Sequence, residues 1–300
     1  MLAKDLIKEF NEYLIVEKKA SKNTIRNYTH DVNMFIEYIE KEFGLVNIND
    51  INKDHIRIFL KSLSNLSTST VSRIMVSMRA FYKFMLKEEY ITTNIMKYFD
   101  LPKPKKKLPV VLSEKEINDL LNNIEMNNFP SARNRAMIEL LYATGLRVSE
   151  LVSLSIYQLN LKMKYLSVIG KGDKERLLPI NDYTCDILSK YINEYRNVKL
   201  DFKDNDLLFF NNKFQPITRE YFYEILKKEI NKTGITKHVS PHTIRHTFAT
   251  HLYNNGADLR SIQELLGHSD LSTTTIYTHV SNKHLIEDYN RFQTRGKKEE

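Results

Sequence analysis

Leu101–Pro109 reads LPKPKKKLP. Three prolines in nine residues deny this stretch a helix, and four lysines keep it solvated and extended. It divides the chain into a front segment (1–101), a basic linker (102–109) and a back segment (110–300). Lys103, Lys105, Lys106 and Lys107 are candidates for touching a polyanion's backbone, because lysines that displace condensed counterions drive such binding.

Upstream of the linker the pattern is helical. Leu2, Leu6, Ile7, Phe10, Leu14 and Ile15 recur at the spacing of one buried helix face. Ser21 reads as the N-cap of a second helix carrying Ile25, Tyr28, Val32, Phe35 and Tyr38. Asn47 to Asp50 punctuate the chain before a third helix with Ile56 and Phe59. Thr68 to Ser72 open a fourth, through Met75, Met78, Phe81, Tyr82 and Met85. Four helices in about a hundred residues predict a compact bundle.

Downstream the pattern is mixed. Ser113 with Glu116 forms a capping box, and residues 131–142 predict an apolar-faced helix ending near Thr144-Gly145. YLSVI (165–169) and RLLPI (176–180) predict strands flanking GKGDKE as a hairpin, and Leu207 to Phe210 a further short strand. After Ser240-Pro241 helix is expected nearly to the end.

The net charge is +8, unevenly spread. Residues 1–107 hold 19 Lys+Arg against 13 Asp+Glu, whereas residues 108–300 hold 26 against 24. A basic front module fits a nucleic-acid partner. No apolar run is long enough to span a membrane, and MLAKDLIKEF is too charged for a signal peptide. A single cysteine, Cys185, excludes an internal disulfide or a thiolate cluster. A cytoplasmic protein with no membrane association is expected.

Two patterns in the back segment carry chemistry. In TGLRVSE (144–150), Gly145 permits a sharp turn and places Arg147 at a helix start, where an anion is welcome. Glu150 then braces Arg147 or its neighbours. In HTIRH (242–246), Pro241 suits the first turn, and His242 and Arg245 share a helix face. A guanidinium that forks onto two oxygens beside an imidazole that handles a proton suits a phosphate. Lys171 stands in the hairpin turn, His268 in LLGH (265–268), and Tyr277 closes TTTIY (273–277). No carboxylate cluster accompanies them, so magnesium chemistry is poorly supported and the arginines must stabilise the transition-state charge. His242 and His246 lack the glutamate that a zinc-protease motif needs after its first histidine, since Thr243 stands there. Neither metal nor cofactor is expected. His251 and His279 are expected to be structural.

The boxes TGLRVSE, GKGDKER, HTIRHTFATHL and LGHSDLSTTTIYTHV, with the helical front module, resemble the tyrosine recombinases of the phage integrase family, nearest their bacterial Xer branch. The resemblance spans nearly the whole chain. It implies that Arg147, Lys171, His242, Arg245, His268 and Tyr277 are the six active-site residues, with Tyr277 the nucleophile. The implied fold is a helical, SAM-like core-binding domain and a mainly α, α+β catalytic domain with a small antiparallel sheet, together a two-domain DNA clamp. It further implies a 3′-phosphotyrosyl intermediate on double-stranded DNA. The assembly would be a tetramer on two sites, of identical subunits or with a paralogous recombinase, and a septal DNA translocase is an implied partner.

The chain begins on the core-binding helices, which favours resolution of chromosome dimers at a dif-like site. An integrase or resolvase of a mobile element, a topoisomerase-like swivelase, and a DNA-binding relative without catalysis are the alternatives. In the tail, residues 284–300, His284, Leu285, Ile286, Tyr289 and Phe292 recur at helical spacing, and the resemblance implies that this tail inserts into a neighbouring subunit.

Overall fold

The computed structural model describes residues 3–103, 109–169, 175–267, 289 and 291–295. The chain divides into two compact units, Met1–Lys107 and Leu108–Glu300.

The first unit is a helical bundle of α1 (Ala3–Val16), α2 (Lys22–Phe43), α3 (Lys53–Ser62) and α4 (Thr68–Lys87). Side-chain oxygens start three of these helices: Ser21, Asn52 and Ser67 each accept from backbone N–H groups of the first turn. Gly44, in the left-handed region at φ +66°, ends α2. The core is aromatic, with Phe10, Phe35, Phe59, Phe81, Tyr82 and Phe84 all buried. Each such ring taken from water contributes about 1.5–3 kcal/mol, so a unit this small depends on them. One charge is buried among them. Asp31 is fully enclosed and accepts from Ser77 Oγ at 2.7 Å and from Arg73.

The second unit is mainly helical around a three-stranded antiparallel sheet in the order β1 (Leu159–Asn160), β2 (Tyr165–Ile169), β3 (Glu175–Pro179). Residues 165–169 form the expected strand, and β3 begins one residue before the expected one. Leu166 and Val168 of β2 face the core, and Val168 pairs with Arg176 across the ladder. The helices are α5 (Glu114–Asn122), α6 (Phe129–Thr144), α7 (Val148–Val152) and α8 (Asp182–Lys190). A π-helical turn, Tyr191–Arg196, then leads into α9 (Asn197–Leu200). Next come α10 (Arg219–Asn231), α11 (Pro241–Asn254) and α12 (Leu259–Leu266). The capping box of α5 forms as expected: Glu116 N donates to Ser113 Oγ, and Ser113 N to Glu116 Oε2.

Helix α6 is the centre of this unit. From Ala132 to Thr144 every residue but Asn134 is buried, so it is enclosed on all sides rather than on one stripe. Its charges are therefore paired. Glu139 lies between Arg135 and Arg295, and Arg133 donates to the Phe210 carbonyl. Tyr289 of the tail joins the same core, whereas His284, Leu285 and Ile286 lie outside the described residues.

The strand expected at Leu207–Phe210 does not form. Leu207 and Phe210 make only isolated bridges, to Ser155 and Pro216. Leu208, Phe209 and Phe210 are buried in succession, which the alternation of a half-exposed strand forbids. The Arg196 guanidinium also takes the carbonyls of Asn205 and Leu207, leaving them unavailable to a ladder. Among the described residues no helix is long and apolar enough to cross a membrane.

Candidate active site

Gly145 sets the geometry. It ends α6 at φ +61°, and a Cβ there would lie 2.4 Å from the Phe248 ring, so only glycine makes this turn. The turn delivers Arg147 to the N-cap of α7 and Glu150 to its third position. Glu150 Oε2 accepts from the Arg147 backbone N at 2.8 Å, and Oε1 from Arg147 Nη1 at 3.0 Å. Arg147 Nη2 reaches the Gly267 carbonyl at 2.9 Å, just beyond α12. The guanidinium is thus pinned from two elements while remaining about a third exposed, at 36%.

Arg245 approaches from α11. Ser240 caps this helix and Pro241 occupies its first turn, as expected. Arg245 Nη1 donates to the Gly145 carbonyl at 2.5 Å and Nη2 to the Leu266 carbonyl at 2.6 Å. The two arginines therefore converge on one short segment at the end of α12. Burial, and then the charge of Arg147, push the Arg245 guanidinium down to about 10, so it stays cationic at neutral pH. A bound anion would offset both effects by its opposite charge.

His242 is exposed in the first turn of α11, three residues before Arg245, and His246 is exposed one turn on. Lys103 is exposed at the end of the first unit. Lys171, His268 and Tyr277 lie outside the described residues, as do Lys105, Lys106 and Lys107. The structure thus brings Arg147, Arg245 and Glu150 together and sets His242 on the same helix as Arg245.

His251 has a different setting. It is buried, with Tyr142 Oη 2.9 Å from Nδ1 and the Leu112 carbonyl 2.8 Å from Nε2. A carbonyl only accepts, so Nε2 carries the proton and Nδ1 accepts from the phenol.

Arg176 belongs to this site and was not singled out from the sequence. It forks onto Glu150, Nη1 to Oε1 at 3.1 Å and Nη2 to Oε2 at 2.8 Å. Burial alone would raise the Glu150 carboxyl, but bonds from Arg176 and Arg147 overturn that and hold it below the ordinary carboxylate range. A signal was present: Arg176 pairs with the buried Val168, so it stands on the inner face of the hairpin.

Comparison with known proteins agrees with this architecture. The model of the phage integrase family matches residues 110–284, and the N-terminal SAM-like domain of phage integrases matches residues 7–89. The chain is 42% identical to tyrosine recombinase XerD of Oceanobacillus iheyensis, covering 97% of this chain and 98% of that protein. It is 41% identical to tyrosine recombinase XerD of Listeria monocytogenes, covering 97% and 99%. Among solved structures, the XerH site-specific recombinase bound to palindromic difH substrate in a post-cleavage complex is 28% identical. That alignment covers 95% of this chain and 83% of that one, with a TM-score of 0.71. The fold is also that of a lambda integrase dimer bound to a core site, at TM-score 0.69 and 16% identity, covering 93% of this chain and all of that one.

Proposed function

From the premise that this chain belongs to the phage integrase family, the tyrosine recombinases, we propose how its residues cut and rejoin DNA. The protein is a site-specific recombinase. Tyr277 attacks the scissile phosphorus. The bond to the 5′-oxygen breaks, a 3′-phosphotyrosyl ester forms, and Lys171 protonates the departing oxygen. A free phenol has a pKa near 10, so His242 takes its proton at neutral pH. Arg147 and Arg245 hold the non-bridging oxygens, and His268 donates to the same phosphate. Glu150 fixes Arg147. The ester conserves the bond energy until the 5′-hydroxyl of a second duplex attacks it, so no nucleotide is consumed.

The observation that carries this reading is the convergence of the two guanidiniums on the neighbouring carbonyls of Leu266 and Gly267. Two cations held this close by backbone dipoles, with the only carboxylate beside Arg147 among the described residues also satisfied by Arg176, form a site prepared for an anion. The substrate is double-stranded DNA, and the event is resolution of chromosome dimers at a dif-like site. The XerD relatives and the difH-bound XerH support that choice. The acting species is an assembly of several subunits on two sites, as supported by the lambda integrase tetramer on a Holliday junction. Incubation with a nicked candidate site tests the chemistry. Wild-type protein should give a protease-sensitive covalent adduct in denaturant, and Tyr277→Phe should bind the same DNA and give none. An adduct with Tyr277→Phe would remove Tyr277 from the mechanism.

A further inference from the structure

Arg147 depends on two anchors, the Glu150 carboxylate and the Gly267 carbonyl, and a single side chain holds the first and lies against the residue that bears the second. Arg176 is nearly buried, at 10% exposure, and reaches Glu150 from β3. Each carboxylate oxygen then carries two donors: Arg147 Nη1 and Arg176 Nη1 on Oε1, Arg147 N and Arg176 Nη2 on Oε2. With four donors on two oxygens the carboxylate has one orientation left. The Arg176 guanidinium also lies against Gly267, where a Cβ would come within 3.2 Å of its carbon and of Nη1. Gly267 holds φ at +65° and presents the carbonyl that Arg147 grips.

Charge gives this arrangement a second consequence. A lone Glu150 would neutralise Arg147 and weaken its hold on an anion. The trio of Arg147, Arg176 and Glu150 retains one positive charge. We infer that Arg176 is a positioning residue for strand cleavage, which sets the direction and preserves the charge of Arg147 by sharing Glu150 and bracing Gly267. This rests on the reading that Arg147 holds the scissile phosphate.

The test compares Arg147→Ala, Arg176→Ala and Arg176→Lys in single-turnover cleavage of two nicked duplexes. One is ordinary DNA. The other carries a methylphosphonate at the scissile position, where a methyl group replaces a charged oxygen and the need for a neutralising arginine falls. On ordinary DNA, Arg176→Ala should cleave about 10–100-fold more slowly, the usual scale for losing a group that orients another. Arg176→Lys, which keeps the charge but loses the fork, should fall between it and wild type. On methylphosphonate DNA both Arg176 defects should shrink together with that of Arg147→Ala. Half-site affinity should be unchanged. If Arg176→Ala melts early, the comparison is read from Arg176→Lys. Equal Arg176 defects on the two substrates, or none on either, would overturn the inference while leaving Arg147 in place. An Arg147→Ala protein that cleaves ordinary DNA normally would overturn the reading of the site instead.

Discussion

Arg147 and Arg245 come from different helices and grip adjacent carbonyls, Gly267 and Leu266, at 2.9 and 2.6 Å. Those carbonyls belong to the last residue of α12 and to its C-cap, at the negative end of a helix dipole. Two like charges are thereby held together at a cost that the dipole and the Glu150 carboxylate offset. The chain passes directly from Gly267 into His268, so the segment that holds the arginines leads in sequence to the candidates His268 and Tyr277.

Glycine substitutions should separate two causes of strain. Gly44, Gly145 and Gly267 all sit at positive φ, where an alanine costs about 1 kcal/mol. At Gly44 a Cβ meets nothing within 4 Å, whereas at Gly145 it would lie 2.4 Å from Phe248. Gly145→Ala should therefore lose about 1–3 kcal/mol more than Gly44→Ala, the scale of overpacking a core. Urea unfolding of the full chain measures both, and equal losses would refute the packing argument.

Much of this was legible in the sequence because local chemistry set it. Ser113 with Glu116, Ser240-Pro241 and Gly145 act within a few residues, and each marks a helix end in the structure. Arg147, Glu150 and Arg245 stood out because turn residues placed them. Arg176 did not, since its role comes from contacts with Glu150 and Gly267, which lie far away in the sequence. Residues 207–210 failed for a similar reason. The carbonyls of Leu207, Leu208 and Phe210 are claimed by the side chains of Arg196, Tyr191 and Arg133, partners that no periodicity reveals.

His251 should make stability depend on pH near neutrality. Burial lowers its pKa, opposed by the Leu112 carbonyl and by Glu114, so the folded chain binds the proton less readily than the unfolded chain. Its contribution is complete above about 6.5, the unfolded value, and is lost as pH falls from there toward the lower folded value. The melting temperature should drop between pH 7 and pH 5. His251→Gln should melt lower at pH 7 but with a flatter profile. Parallel profiles would assign the pH dependence to other groups.

The bundle's buried carboxylate predicts an asymmetry. Removing Arg73 strands Asp31 with Ser77 alone, whereas removing Asp31 leaves Arg73 free to meet water, because its side chain is 42% exposed. Arg73→Ala should cost about 2–3 kcal/mol, below the range for a fully buried pair. Adding Asp31→Asn should recover part of that loss, because the amide is cheaper to bury than the charge. Chemical denaturation of the two variants tests this, and a double variant less stable than Arg73→Ala would refute it.

The tail supplies the last test. The resemblance implies that it inserts into a neighbour, and in this chain its described residues dock on their own unit. Tyr289 is buried in the core, and Asn255 donates to the Phe292 carbonyl at 3.1 Å. Arg295 meets both oxygens of Glu139, at 2.8 and 3.1 Å, and Asn118 at 2.6 Å, while its own carbonyl accepts from Asn181. Glu139 is fully enclosed and, among the described residues, keeps only Arg135 if Arg295 is lost. Arg295→Ala should therefore cost about 2–3 kcal/mol, less than removing a sole partner. For a unit of this size that is roughly 5–10 °C in melting temperature. Deleting residues 284–300 should cost more, because Tyr289 leaves the core as well. Thermal melting beside a two-site gel-shift titration decides the outcome. A truncated chain that melts like wild type but loses cooperative DNA binding would show that the tail contributes nothing to its own unit in solution and acts on a neighbour instead.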